Sequence, residues 1–265
     1  MKKNTIQFEE IHPFTFSITH VPHEIPRVIN DSHIHDQCEI YVNVSGEVSF
    51  MVEGQLYPVR RGDAIITRPF EYHHCVYRKI APHEHYWILF SCKGNKKLLE
   101  PFFKRPLGTG NRIVPARPET LLALCERLTK KRSPFENYYD FFRLLQLLRT
   151  GEPSGESVLP RDLQGVLDEI NEHFTGPLQI DALARDHFMS VNTLERQFKT
   201  HLGVTPSEYI RQKRLAHAAL LLRRQQSVSR AAAESGFGDT SQFIAIFKKQ
   251  FGKTPLQYKK EAPEA

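Results

Sequence analysis

The second half of this chain repeats itself at a fixed distance, and no other feature constrains the fold as much. Phe198-Lys199, Gly203, Thr205-Pro206 and Tyr209 recur as Phe247-Lys248, Gly252, Thr254-Pro255 and Tyr258, each displaced by 49 positions. Phe188 maps to Phe237 at the same offset. Identities held at one offset indicate two copies of one supersecondary unit.

Each copy reads as helices. Leu163, Val166, Leu167, Ile170 and Phe174 fall on one helical face, which Thr175-Gly176-Pro177 terminates. A short helix over 181–186 follows, burying Leu183 and Ala184. After a turn at 187–189, Ser190 is a suitable N-cap for a helix from Val191 to about His201. Leu194 and Phe198 then face inward, with Asn192, Glu195, Arg196 and Lys199 outward. Two helices joined by a tight turn, the second polar outside, form a helix-turn-helix pattern. Thr205-Pro206-Ser207-Glu208 is a capping box with proline at the first helical position, opening a long helix to about Arg224. Ser227 through Glu234 starts the second copy, with Gly236 able to supply the left-handed residue that ends its first helix. Its second helix starts at Asp239 or Thr240 and reaches Gln250, with Phe243 and Phe247 inward.

The first half reads differently. Residues 40–44, 48–52, 64–67 and 86–90 are apolar or β-branched runs, punctuated by Gly46, Glu53-Gly54 and Arg61-Gly62-Asp63. Short strands at this spacing predict a β-barrel or jelly roll. Helices are expected over 118–131 and 135–149, the second heavily apolar through Phe141, Phe142, Leu144, Leu145, Leu147 and Leu148. That face must pack on the barrel or on another subunit. A Gly-, Pro- and Ser-rich stretch at 150–157 reads as a linker. The division is a strand-rich domain with flanking helices over 1–150, a linker over 151–159 and a helix-turn-helix domain over 160–260. The expected class is α+β.

Charge does not locate the DNA-binding end. From Val158 onward, 15 Lys+Arg stand against 12 Asp+Glu, a balance of +3 and half of the chain's +6. Four scattered cysteines, Cys38, Cys75, Cys92 and Cys125, argue for buried thiols and against a disulfide framework. No apolar run of about 18 residues and no apolar signal core appear, so no membrane association and a cytoplasmic location are expected.

Residues 160–260 resemble the DNA-binding domain of AraC-type bacterial transcription regulators. The densest match is Gly236-Phe237-x-Asp239-x-Ser241-x-Phe243-x-x-x-Phe247-Lys248-x-x-Gly252-x-Thr254-Pro255-x-x-Tyr258. Leu183-Ala184, Ser190, Leu194, Arg196, Phe198-Lys199, Gly203, Pro206, Tyr209, Arg214, Ala218 and Leu221-Leu222 also match. Ala231 departs from the larger aliphatic residue usual in the family and predicts a slightly thinner second core. The resemblance implies that both recognition helices enter successive major grooves, about 34 Å apart. Candidate base contacts are Asn192, Thr193, Glu195 and Arg196 in the first helix, and Thr240, Ser241, Gln242 and Ala245 in the second. Arg196 can pair with guanine O6 and N7, and Asn192 or Gln242 with adenine. Lys199, Lys248 and Lys249 are candidate phosphate contacts or a solvated charged face. Ala245 stands where the first helix has Arg196, so the first helix is expected to carry more sequence information.

In the first half, His33-x-His35-x-x-x-Glu39 followed by Gly46 is similar to the first cupin motif. Gly62, Pro69 and His73 or His74 loosely match the second, without the glycine expected between proline and histidine. The resemblance implies an N-terminal cupin-like barrel. It opens two readings for His33, His35, Glu39 and His73 or His74: a metal site, or polar groups bonded within the barrel. Effector candidates are His33, His35, Glu39, Tyr41, Arg68, Tyr72, His74 and Trp87, with Glu71 and Arg68 able to bond hydroxyls. Trp87 reads either as a stacking face for a sugar or as barrel core.

The expected protein is a sequence-specific DNA-binding regulator, not an enzyme, and needs no cofactor. Its expected partners are double-stranded DNA, a small-molecule effector such as a sugar, a second copy forming a homodimer through the 141–148 helix, and RNA polymerase. A metal-dependent cupin enzyme fused to a DNA-binding domain is the alternative. A helix-turn-helix pair used only for protein contacts is the third reading.

Overall fold

The computed structural model describes residues 15–24, 35, 37–77, 81–91, 99–100, 102, 104–105, 108–153 and 157–261. His33 and Cys92 therefore lie outside the described residues. The N-terminal part is built from β1 (Phe16–Glu24), β2 (Cys38–Ser45), β3 (Val48–Val52), β4 (Gln55–Val59), β5 (Ala64–Thr67), β6 (His73–Tyr77), β7 (His83–Phe90), β8 (Arg112–Val114) and β9 (Glu152–Pro153). They form a six-stranded sheet in the order β1-β7-β2-β5-β8-β9 and a three-stranded sheet in the order β4-β3-β6. All pairings are antiparallel.

Side-chain alternation along the strands sorts this region into layers. Tyr41, Ile65 and Trp87 of the large sheet share one apolar cluster with Phe50, Tyr57, Val59 and Cys75 of the small sheet, so the two sheets face each other. Ile40, Val42, Tyr86, Ile88 and Phe90 point the other way. They are covered by α1 (Pro118–Leu128) and α2 (Pro134–Arg149), a capping-box helix that starts at Ser133. Phe141, Leu144, Leu145 and Leu148 are buried there, so the apolar face expected as a dimerisation surface packs inside its own chain. The face left exposed carries Phe135 and Tyr139. Part of the expected linker joins the sheet, since Ile113 pairs with Pro153 and Val114 with Glu152.

The C-terminal part contains α3 (Arg161–His173), α4 (Ile180–Asp186), α5 (Val191–Leu202), α6 (Pro206–Arg223), α7 (Val228–Glu234), α8 (Thr240–Phe251) and α9 (Pro255–Glu261). The expected caps are in place. Ser190 accepts from the Thr193 amide, and Asp239 from Gln242. Thr205 and Glu208 close a reciprocal box. Gly203 and Gly252, both at φ 70°, end α5 and α8 in the left-handed conformation.

The repeat needs one correction. Met189 donates its amide to Ala184 O and Phe237 to Ala232 O, which relates the two turns by 48 positions, not 49. Left-handed Phe188 (φ 56°) thus corresponds to Gly236 (φ 81°), and Met189 to Phe237. Gly238 is the additional residue that restores the larger offset at the second helix. The Phe188–Phe237 identity does not mark equivalent places.

Long α6 joins the two units. Tyr209, Ile210 and Ala216 lie in the first core, with Leu167, Ile170, Leu183, Leu194 and Phe198. Leu215, Ala218, Leu221 and Leu222 lie in the second, with Ala231, Ala232, Phe243 and Phe247. The first core also takes in Met51, Leu56, Tyr72 and Val76 from the outer face of the three-stranded sheet. The first unit is thereby docked on the sensor.

Candidate functional site

The surface of α5 and α8 supplies the first candidate site. On α5, Leu194 and Phe198 are buried, while Asn192, Glu195, Arg196 and Lys199 are exposed; Thr193 is half-buried, its hydroxyl 2.9 Å from Ser190 Oγ. On α8, Phe243 and Phe247 are buried, while Thr240, Ser241, Gln242, Ala245, Lys248 and Lys249 are exposed. The structure therefore places all the predicted contacts on two corresponding outer faces, with Thr193 at the edge of its face. Sequence reasoning missed Ile244, 37% exposed beside Ala245. It makes the second face partly apolar where the first has Glu195 and Arg196. The signal was an apolar residue off the Phe243–Phe247 stripe. Lys199 Nζ lies 3.7 Å from Glu208, an exposed pair that contributes little to stability.

Two recognition-type helices, each capped and joined by a helix buried in both cores, find their counterpart among known proteins. A family described as "AraC-like ligand binding domain" matches residues 26–186, and a "Helix-turn-helix domain" matches residues 183–261. The chain belongs to the AraC family of transcription regulators. It is 24% identical over 251 residues to the "HTH-type transcriptional activator RhaR" of Escherichia coli O1:K1 / APEC, covering 88% of each chain. It is 35% identical over 117 residues to the "HTH-type transcriptional activator RhaS" of Salmonella schwarzengrund (strain CVM19633), an alignment spanning 43% of this chain and 42% of that protein. A solved AraC-type DNA-binding regulator from Chromobacterium violaceum is 27% identical over 39% of this chain and 93% of its own, with a TM-score of 0.37. The family is one of DNA-binding regulators with a ligand-binding domain, not of enzymes. No described helix of this AraC-family regulator is long and apolar enough to cross a membrane.

The space between the two sheets of the sensor supplies the second candidate site. Glu39, Tyr41, His73, His85 and Trp87 all point inward from their strands. The rings form a continuous series: His35–His73 (5.0 Å between centroids), His73–Phe50 (6.0 Å), Phe50–Tyr41 (5.1 Å), Tyr41–His85 (4.9 Å) and His85–Trp87 (5.4 Å). Trp87 is half-buried and packs against the inner core. His85 is 1% exposed, and among the described residues neither ring nitrogen has a hydrogen-bond partner. Burial, reinforced by neighbouring His83, pulls its pKa down to about 3 against the weaker opposing effect of Glu39.

Three other predicted effector residues are elsewhere. Arg68 donates to Glu71 (3.2 Å) and to Arg105 O (3.0 Å). Glu71, fully buried, also accepts from Gly108 N and Asn111 Nδ2. This pair fastens the 105–111 loop. Tyr72 and His74 face the DNA-binding half: Tyr72 packs edge-on to Tyr209 at 5.3 Å, and His74 Nε2 donates to Leu202 O at 2.8 Å. The choice between His73 and His74 resolves by strand alternation, with His73 inward and His74 outward.

The junction between sensor and DNA-binding half contains residues that the sequence did not single out. The β3–β4 hairpin turn, Glu53-Gly54, inserts against α3 and α6. Glu53 forms a buried ion pair with Lys213 and accepts from Tyr72 N at 2.7 Å, while Asn171 Nδ2 donates to Glu53 O at 3.0 Å. Gly54 has φ +88°, a left-handed conformation that favours glycine, and a Cβ there would also crowd the Asn171 side-chain amide at 2.8 Å. Beside it lies a cavity of about 260 Å³ lined in part by Phe70, Phe174, Lys213 and His217.

Proposed function

We propose that this regulator reads specific DNA sequences through α5 and α8, activates transcription, and responds to a small polar effector, a sugar being the favoured class, held between the sensor sheets. The observation that carries the reading is the pair of capped helices. Each buries two large residues at i and i+4 and turns its polar face to solvent. Arg196 serves as the principal guanine reader, and Asn192 and Gln242 as adenine readers. Thr193, Glu195, Thr240, Ser241 and Ala245 complete the base-facing set. Lys199, Lys248 and Lys249 contact phosphate and position the helices.

Within the sensor, His35, Glu39, Tyr41 and Trp87, together with His73 and His85, line the proposed effector space. Aromatic faces beside imidazole and carboxylate groups suit a ring bearing hydroxyls. The names of the similar proteins, both transcriptional activators, support activation over repression. Homodimerisation, with Phe135 and Tyr139 on the free face of α2, would place four reading helices on DNA and raise effective concentration.

The test is anisotropy titration of labelled duplexes selected from a random library. Binding should weaken steeply with salt, since phosphate contacts release counterions. A salt-independent association, or equal affinity for all sequences, would sink the reading. A thermal-shift screen of sugars and related metabolites tests the effector class, because a ligand of the native state raises Tm.

A further inference from the structure

The cavity of about 260 Å³ at the junction lies where three parts of the chain meet. Glu53 and Phe70 come from the sensor, and Asn171 and Phe174 from the end of α3. The remaining wall, including Ala216 and His217, comes from α6. Such junctions are preferred places for small ligands. A void of about 150 Å³ accommodates benzene, so this one has room for a ring with a short side chain.

Most polar groups of the wall are already engaged. Glu53 pairs with Lys213 and accepts from Tyr72 N. The Lys213 ammonium also lies 5.4 Å from the centre of the Phe174 ring, a cation–π contact. Asn171 donates to Glu53 O and accepts from the Tyr209 hydroxyl. His217 differs. Its Nδ1 lies 3.1 Å from Ser235 Oγ, and its Nε2 has no hydrogen bond among the described residues. Burial holds this imidazole below its ordinary 6.5, so the ring is neutral near pH 7.

Charge selects the ligand. One carboxylate and one ammonium line the cavity, and they neutralise each other. A charge brought in by a ligand would be desolvated with no counter-ion left for it, which costs free energy. An anion is opposed further by the C-terminus of α3, which is capped at Phe174. A neutral ligand meets neither cost. Its apolar body suits Phe70, Phe174 and Ala216. One hydroxyl serves His217 Nε2 whichever ring nitrogen carries the proton, because a hydroxyl both donates and accepts. The walls also reach both reading units. The Phe70 ring packs against both helix-turn-helix cores and lies 5.3 Å from the guanidinium of Arg223 on α6. His217 is tied to Ser235 at the end of α7. We propose that this junction binds a small neutral alcohol or phenol with one apolar ring, which wedges the sensor against α6 and so adjusts DNA binding. A ligand that favours one arrangement of these parts must change DNA affinity, and DNA must change ligand affinity by the same factor. The effect on DNA rests on the DNA-reading function; ligand uptake does not.

The experiment titrates the full chain by calorimetry with 2-phenylethanol, 4-ethylphenol and cyclohexylmethanol, and with phenylacetate as the charged counterpart. At least one neutral compound should bind at one equivalent, and phenylacetate should bind about tenfold more weakly or worse. Ala216→Met fills the cavity and should weaken uptake by about tenfold or more. His217→Leu removes the partner of the hydroxyl and should weaken it on the order of threefold or more. Thermal unfolding of each variant checks that it is folded. On loading, amide exchange should slow over residues 53–54 and 213–220, and over 228–235 beyond the His217–Ser235 bond. DNA affinity should shift on the order of fivefold or more. Absence of saturable uptake of all three neutral compounds, or phenylacetate binding as tightly as they do, overturns the ligand class. Uptake undiminished in whichever of the two variants is folded, or protection confined to residues 85–90, overturns the location. Uptake that leaves either exchange over 228–235 or a measured DNA affinity unchanged overturns the transmission. A protein that takes up the ligand and slows exchange but binds no DNA fails the functional reading alone.

Discussion

The two helix-turn-helix units share a plan and differ in what surrounds them. The first is fused to the sensor: its core continues into Met51, Leu56, Tyr72 and Val76 of the three-stranded sheet. The second is joined to the rest chiefly through α6 and Phe70. The first presents Arg196 to solvent, the second Ala245 and Ile244. The first turns through a left-handed phenylalanine, the second through glycine. A duplicated element can thus keep its packing while its surroundings diverge: one copy is packed on the sensor, the other is not, and under the proposed function the first would be the main reader and the second a lighter clamp.

The largest effects should come from the cores. Phe198→Ala and Phe247→Ala each remove a fully buried ring, at a cost of about 3–5 kcal/mol. By hydrogen exchange, Phe198→Ala should also loosen β3 and β6, while Phe247→Ala should leave the sensor unchanged. Equal loosening of the sensor by both would break the comparison.

Acid should act on the fused block first. The folded His85 pKa is about 3 against an ordinary 6.5, so on acidification the unfolded chain takes up a proton that the folded chain refuses. The stability this residue contributes at neutral pH is lost as pH falls from 6.5 toward 3, by at most roughly 1.4 kcal/mol per pH unit. Denaturant melts followed at Trp87 should show this slope, and His85→Phe should flatten it. An unchanged slope in the variant would assign the acid sensitivity elsewhere.

DNA reading gives the next scale. Arg196→Ala should cost about 1–3 kcal/mol of discrimination at one base pair. Gln242→Ala should cost less, measured across a panel of substituted sites. Equal losses would make the two helices equal readers. The smallest effect concerns the turns. Phe188 is 99% exposed in a left-handed conformation, so Phe188→Gly should stabilise by up to about 1 kcal/mol in thermal melts. Gly236→Ala should destabilise, because its Cβ would meet Thr175 O at 2.6 Å. Stabilisation at both positions would erase this contrast.

The helical half was legible because its signals are local. Caps, the Thr205–Glu208 box and the Leu194–Phe198 stripe lie within a turn or two of one another. The strands were less legible. β4 carries Pro58, which argues against a strand until its position at the edge of the three-stranded sheet is known. β6 reads His-His-Cys-Val-Tyr, and its alternation is hidden because both faces are buried, one by the sandwich and one by the first unit. Glu53-Gly54 was legible as a turn, but its ion pair with Lys213 spans two domains and leaves no local trace. The Phe188–Phe237 identity misled because Gly238 shifts the register by one residue within the turn.

The rooting of α6 in both cores has a consequence for the operator. A flexible tether would let two reading heads settle on half-sites at various distances. An 18-residue helix packed at both ends acts instead as a ruler. Inserting one base pair between the half-sites displaces the second by about 3.4 Å and turns it about the DNA axis by roughly a tenth of a turn. Neither change can be absorbed by slack. If α5 and α8 read DNA as proposed, the grammar of the binding site, not only its letters, is encoded in the length of one helix.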